Sequence, residues 1–229
     1  MTDISINPNI YCNYGNIKIS YCIFRNVDVL NTPPRMKKVA RSVERDIREH
    51  LSSESWEKQL NIDTWMKLFN NMGLMEIEER PASVQLVERI LSGKNIYKIN
   101  NIVDAANITA AKYLVPVGVF NFDSITPPIK LRMALPGENM IPLFQEDPIE
   151  VNLKEIVYTD ASGIFSRYSK DADRTKITDD TKNVFAVVDG TDEIDRGYLE
   201  EARSFLISLI KDTCGEQLHI ELGYQEAKL

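Results

Sequence analysis

Histidine and cysteine are scarce in this chain, with two of the first and three of the second among 229 residues. Cys12, Cys22 and Cys214 are odd in number, far apart and without CxxC spacing, which argues against a disulfide framework or a zinc knuckle. With only His50 and His219 present, a histidine-rich metal site is impossible, and no metal is expected. Phosphate loops, dinucleotide fingerprints, GxSxG elbows and HExxH are all missing, so no cofactor is expected either. No run of eighteen apolar residues occurs, which excludes a membrane-spanning helix. Met1 to Ser5 lack the basic region and apolar stretch of a secretory signal, so the expected location is cytoplasmic. Basic side chains are outnumbered, 27 against 34, for a net charge of −7. That disfavours sequence-blind phosphate binding, and no DNA partner is expected. The imbalance is uneven. Residues 1–100 carry 14 basic and 12 acidic side chains, leaving 13 and 22 for the rest, so any nucleic-acid contact is expected on the first half.

What is present is ordinary globular material, 43% hydrophobic and 27% charged, in a length that can bury a sizeable core. Lys18 to Phe24 alternates imperfectly and reads as an early strand. Thr32-Pro33-Pro34 opens a helix, with Thr32 as cap candidate and Val39, Val43, Ile47 and Leu51 as its apolar stripe. Arg35, Lys37, Lys38, Arg41, Arg45 and Arg48 cover the other faces, mixed with Glu44, Asp46 and Glu49. This is either a solvated helix with i,i+4 pairs or the best available RNA-facing patch. His50 reads as an exposed residue at that helix's end and His219 as part of a terminal strand, both structural. Asp63 is a cap candidate for a second helix carrying Trp65, Met66, Leu68, Phe69 and Met72, ending near Gly73. Arg80-Pro81 starts a third, with Val84, Val87, Ile90 and Leu91 on one side and Gly93 as its stop. Asn101 to Tyr113 is a fourth, rich in alanine.

From Pro127 the pattern turns to strands at 129–134, 149–153, 155–158, 163–166 and 184–188, with a turn at 135–139. A closing helix follows Asp195, burying Leu199, Ala202, Leu206, Leu209 and Ile210 and ending at Gly215. The order predicts an α+β fold with a mixed central β-sheet and flanking helices, the helical segments mainly in the N-terminal half. Residues 1–229 are expected to form one domain, with 1–95 the N-terminal strand and helical part and 96–215 a core holding a cleft.

Two segments carry more specific residues than packing requires: Asn100 to Asp123, and Tyr158 to Asn183. Asn101-Ile102-Val103-Asp104-Ala105-Ala106-Asn107, Pro116-Val117-Gly118-Val119-Phe120-Asn121, Arg132, Gly137-Glu138 and Arg174-Thr175-Lys176-Ile177-Thr178-Asp179-Asp180-Thr181-Lys182-Asn183-Val184 recur in one order. Together they resemble the tRNA-editing module, called B3/B4, of the phenylalanyl-tRNA synthetase beta subunit, and more closely its free-standing single-domain relatives. Pro81 to Gly93 matches the helix that precedes this core in those relatives, and the likeness spans roughly residues 15–215.

The resemblance implies a central cleft that takes an amino acid or the aminoacylated 3′ end of a tRNA, where the synthetase hydrolyses tRNA mischarged with tyrosine. At the hydrolytic positions this chain departs from the family. The Thr-Asn pair is Ala106-Asn107, the histidine is Gly118, the strand glutamate aligns with Val187, and Asn121 replaces an aspartate. Asn107, Pro116 and Phe120 survive.

The remaining polar groups suit recognition. Asn107 offers an amide; Arg132, Arg167 and Arg174 offer guanidinium forks; Thr175, Thr178 and Thr181 offer hydroxyls; Phe120 and Tyr168 offer rings for stacking. Each also has a plain structural reading, as cross-strand partner, cap or core. The candidate substrate-binding set is Asn107, Gly118, Phe120, Asn121, Arg132, Arg167, Tyr168, Arg174 and Thr175, and the candidate RNA-binding set is Arg35, Lys37, Lys38, Arg41 and Arg45. Expected partners are tRNA or aminoacyl-tRNA, or a free amino acid or related metabolite. Two functions follow. One is a tRNA-associated domain with possible trans-editing deacylation. The other is a non-catalytic small-molecule module. A third, remote reading is a protein-interaction domain. All share one geometric expectation: both segments wall a single polar hollow.

Overall fold

A strand that buries both faces needs a layer on each side, and Lys18–Arg25 (β2) buries six consecutive side chains rather than alternate ones. The computed structural model describes residues 3–51, 56–215 and 217–228, so Met1 and Thr2 of the N-terminal reading lie outside the described residues. Before β2 come β1 (Ile4–Ile6) and α1 (Asn9–Tyr14). After it come α2 (Pro34–His50), α3 (Leu60–Asn71), α4 (Ala82–Leu91) and α5 (Asn101–Tyr113). Then follow β3 (Val117–Asn121), β4 (Ile129–Met133), β5 (Asn139–Met140), β6 (Ile149–Glu150), β7 (Ile156–Asp160), β8 (Gly163–Arg167), β9 (Lys170–Asp171) and β10 (Asn183–Gly190). α6 (Arg196–Cys214) and β11 (His219–Glu226) close the chain. The class is the expected α+β, with five of the six described α-helices before residue 114.

β2 and β10 are the inner strands of an antiparallel sheet ordered β11-β2-β10-β3. A second sheet, β1-β4-β7-β8-β9, mixes one parallel pair (β1 with β4) with antiparallel ones. β5 and β6 form a small ribbon of their own. Alternation along β10 sets the layers. Phe185 and Val187 pack toward the second sheet, among Ile129, Leu131, Ile156, Tyr158 and Phe165. Val184 and Ala186 pack toward α2, α4, α5 and α6, among Val43, Val87, Ala105, Ala106 and Leu206. The first sheet thus separates a helical layer from the second sheet. α5 nestles close because Ala105, Ala106, Ala110 and Ala111 are all buried.

Local signals were mostly met. Asn100 caps α5 by accepting from the amides of Ile102 and Val103. Asp195 caps α6 through the Gly197 amide. Gly73, Gly93 and Gly215 follow their helices with positive φ.

Two caps are corrected. α3 begins at Leu60, so Asp63 lies inside its first turn and pairs with Lys67 at 2.6 Å. Thr32 does not cap α2; its hydroxyl bonds the buried Asp104 carboxylate, while Pro33 and Pro34 fix the helix start. The strand expected at 149–153 shrinks to β6, because the chain turns into the second sheet at Glu155. No helix among the described residues is long and apolar enough to cross a membrane.

Candidate functional site

The first motif proves to be a fold tie. Asn101 donates to the Asp28 carbonyl and the Thr213 hydroxyl and accepts from the Leu30 amide. Asp104 accepts from Thr32 and from the Ile99 amide, so it fastens both approaches to α5. Burial pushes the Asp104 carboxyl up; those hydrogen bonds oppose the rise. Three residues on, Asn107 is half-buried, and its amide makes no hydrogen bond among the described residues.

Gly118 faces the other way. It pairs with Val187 across β3 and β10, and a Cβ placed on it would lie 2.7 Å from Cε2 and Cζ of Phe120. The Phe120 ring lies over the missing side chain. Phe120 is 2% exposed and packs on Phe165, Phe185 and Tyr158, so it is core and presents no stacking face. Val187 and Ala106 are buried too. Asn121 turns its carbonyl to the Asp123 amide and caps a 3-10 turn at Phe122–Ser124.

The three guanidinium groups are already partnered. Arg132 grips Glu138 by two bonds, 2.8 and 2.5 Å, and this holds Glu138 below the usual carboxylate range. Arg174 grips Asp160 at 3.1 and 2.7 Å and the carbonyls of Ser124 and Gly163. Arg167 is 4% exposed, between Glu155 at 2.9 Å and Glu79 at 3.0 Å. Thr175 is buried against the Phe165 carbonyl, and Thr178 and Thr181 bond each other in a turn. Tyr168 sets its ring edge-on to Trp65 and gives its hydroxyl to Asp189, which also accepts from Tyr158. Burial lifts Asp189 to about 7.

The structure therefore does not bring the predicted set together. Asn107 lies on α5 in the helical layer, Arg132 and Arg167 lie on β4 and β8 of the second sheet, Tyr168 follows β8, and Arg174 and Thr175 sit in a 3-10 turn at Asp173–Thr175. The two segments touch where the Asn183 amide donates to Asp123, and Ile177 of the second packs against the helical core. Two separate clefts open beside the second sheet. One, of about 550 Å³, is lined by Asn139, Gln145, Ser162, Asp173 and Arg174. The other, of about 630 Å³, is lined by Glu79, Arg80, Gln85, Ser169 and Lys170.

On α2, Arg35 pairs with Asp212 and Arg45 with Asp46 and Glu49. Lys37, Lys38 and Arg41 have no ion pair among the described residues. Neighbouring cations on the loop after α4, Lys94 and Lys98 with Tyr97 between them, were passed over in the sequence. The signal was there: two lysines and an aromatic directly after a helix-ending glycine. Among the described residues no His/Cys/Asp/Glu cluster could hold a metal ion.

A helical layer on a strand-pair sandwich, with a packed centre and ion-paired arginines, defines an α+β domain. The B3/4 domain family model matches residues 69–215, and the chain belongs to that family. It is 34% identical over 92 residues to the phenylalanine–tRNA ligase beta subunit of Onion yellows phytoplasma (strain OY-M), covering 40% of this chain and 11% of that protein. Among solved structures it is similar to an N-terminal fragment of the phenylalanyl-tRNA synthetase beta subunit from Pyrococcus horikoshii. There the TM-score is 0.49 and the identity 14%, over 96% of this chain and 50% of the fragment. The chain thus spans about a tenth of the length of that curated relative and half that of the fragment.

Proposed function

We propose that this B3/4 domain binds tRNA or aminoacyl-tRNA in the cytoplasm and does not hydrolyse the ester at the family's editing positions. The observation that carries this reading is the Phe120 ring lying over Gly118 against buried Val187. The atoms nearest to where a side chain at Gly118 would begin are carbons of Phe120 and Val187. Its relatives' names supply the tRNA association. In this reading residues 1–229 act as one domain, since β2 from the N-terminal part is hydrogen-bonded along its length to β10 of the core.

The test is a panel of charged tRNAs at trace protein. Binding should be measurable and salt-sensitive while ester half-lives stay unchanged. Multiple-turnover deacylation that weakens in Asn107→Ala would overturn the non-hydrolytic reading. A second reading, an amino-acid-sized ligand, is favoured by the 550 Å³ cleft with Asn139, Gln145 and Arg174 on its wall. Thermal stabilisation by free amino acids together with indifference to tRNA would select it.

A further inference from the structure

We infer that the face formed by α2 and the loop 94–98 is a binding surface for single-stranded RNA, with Tyr97 stacking an unpaired base and Lys37, Arg41, Lys94 and Lys98 meeting phosphates. This rests on the tRNA-associated reading above and names the surface and the strand state it takes.

The surface is built rather than incidental. Arg48 on α2 reaches across to the carbonyls of Ile90 and Lys94 and to Asn95 Oδ1. Glu44, itself buried, accepts from the Ile96 amide at 2.7 Å, and Ile96 plugs into the helical core. The loop is therefore held at both its backbone and its one apolar side chain. Held in this way, Lys37, Arg41, Tyr97 and Lys98 come to line one depression. Among the described residues, neither these cations nor Lys94 has an ion pair with a carboxylate. Glu44 and Asp104 line the same depression, but both are buried and already accept hydrogen bonds, Glu44 from the Ile96 amide and Asp104 from Thr32 and the Ile99 amide. On a chain of net charge −7 this is a local positive face, on the half of the sequence that carries the basic excess.

Tyr97 decides the kind of polyanion. It is 50% exposed, and the Arg89 guanidinium lies 3.9 Å from its ring centroid. Arg89 is fixed in turn by its bond to the Asn95 carbonyl at 2.6 Å. One face of the ring is backed by a cation, and half of the residue's surface stays exposed. A base could extend that stack, and in a duplex no base is free to do so.

Fluorescence anisotropy with a labelled single-stranded RNA oligomer, and with the same strand annealed to its complement, tests this. The single strand should bind more tightly than the duplex. Tyr97→Ala should weaken it by roughly five- to a hundredfold, the range for losing one stacked base. Lys37→Ala with Lys98→Ala should lower the salt slope by about 0.7 for each phosphate no longer neutralised. Equal binding of duplex and single strand with a silent Tyr97→Ala would leave charge alone and overturn the stacking assignment. Wild-type affinity for tRNA that survives in the Lys37/Lys98 variant would overturn the surface yet leave the proposed function standing. Failure of the wild type to bind either tRNA or the oligomer would remove both.

Discussion

Adding one methyl group at Gly118 should destabilise the protein by about 1–3 kcal/mol, the usual cost of overpacking a closed core. The new Cβ would sit 2.7 Å from two Phe120 ring atoms and 3.4 Å from Val187 Cγ1. A ring's far end can normally tilt aside, but here Phe165 stands 5.2 Å, Phe185 6.1 Å and Tyr158 6.4 Å from the ring centroid. Gly118 is in regular register with Val187, so no backbone strain enters and the penalty is steric. Elsewhere, Gly→Ala at a compatible site gains about 0.4–1 kcal/mol from the unfolded chain, so the sign alone is informative. For a chain of this size, 1 kcal/mol corresponds to about 2–4 °C in Tm. Urea titration should show a lower midpoint at unchanged slope. Phe120→Ala alone should cost about 3–5 kcal/mol. In the double variant the two losses should fall short of their sum by about 0.5–3 kcal/mol, because the second change makes room for the first. Gly118→Ala as stable as wild type would refute the reasoning and reopen a hollow where the family places its histidine.

Arg167→Met should cost about 3–5 kcal/mol at neutral pH, because it leaves Glu155 buried without its cation. Burial already holds the Glu155 carboxyl up, and Arg167 is the main opposing charge. The deficit in urea midpoint should therefore shrink as the pH falls and Glu155 takes a proton; a pH-independent deficit would contradict this. Asp189 titrates near 7 in the folded protein, above its unfolded carboxylate value. The folded state holds the proton more tightly, so this contribution is complete below about pH 4 and is lost as pH rises through about 7. Asp189→Asn should flatten the stability profile across that window, read from urea midpoints at several pH values, and an unchanged profile would dismiss the assignment.

Helix positions were legible because their signals are local. α5 was placed at Asn101 to Tyr113 by a run of small residues, and α6 by Asp195 and Gly215. β3 was not read as a strand, since Gly118 at its centre weakens the β pattern; pairing with β10 forms it. α1 has six residues and follows Pro8, and its Ile10 is held only by tertiary burial. The site failed for a different reason. Whether an arginine is free depends on which carboxylate strand register delivers to it. Arg174 meets Asp160 only because β7 and β8 pair as they do, and Arg167 meets Glu79 from 88 positions away. Nothing in a one-dimensional pattern states that.

The motif residues that suggested the family divide accordingly. Asn100, Asn101, Asp104, Arg174, Thr175 and Thr181 each fasten one part of the backbone to another. Among the described residues, Asn107 leaves its amide without a protein partner. A resemblance carried by such fasteners reports how the chain folds and says little about what the fold does. Groups with no structural obligation are the better guide to partners. They include Lys37, Lys94, Lys98 and Arg41, which have no ion pair among the described residues, beside Tyr97 on a loop that Arg48 and Glu44 hold in place.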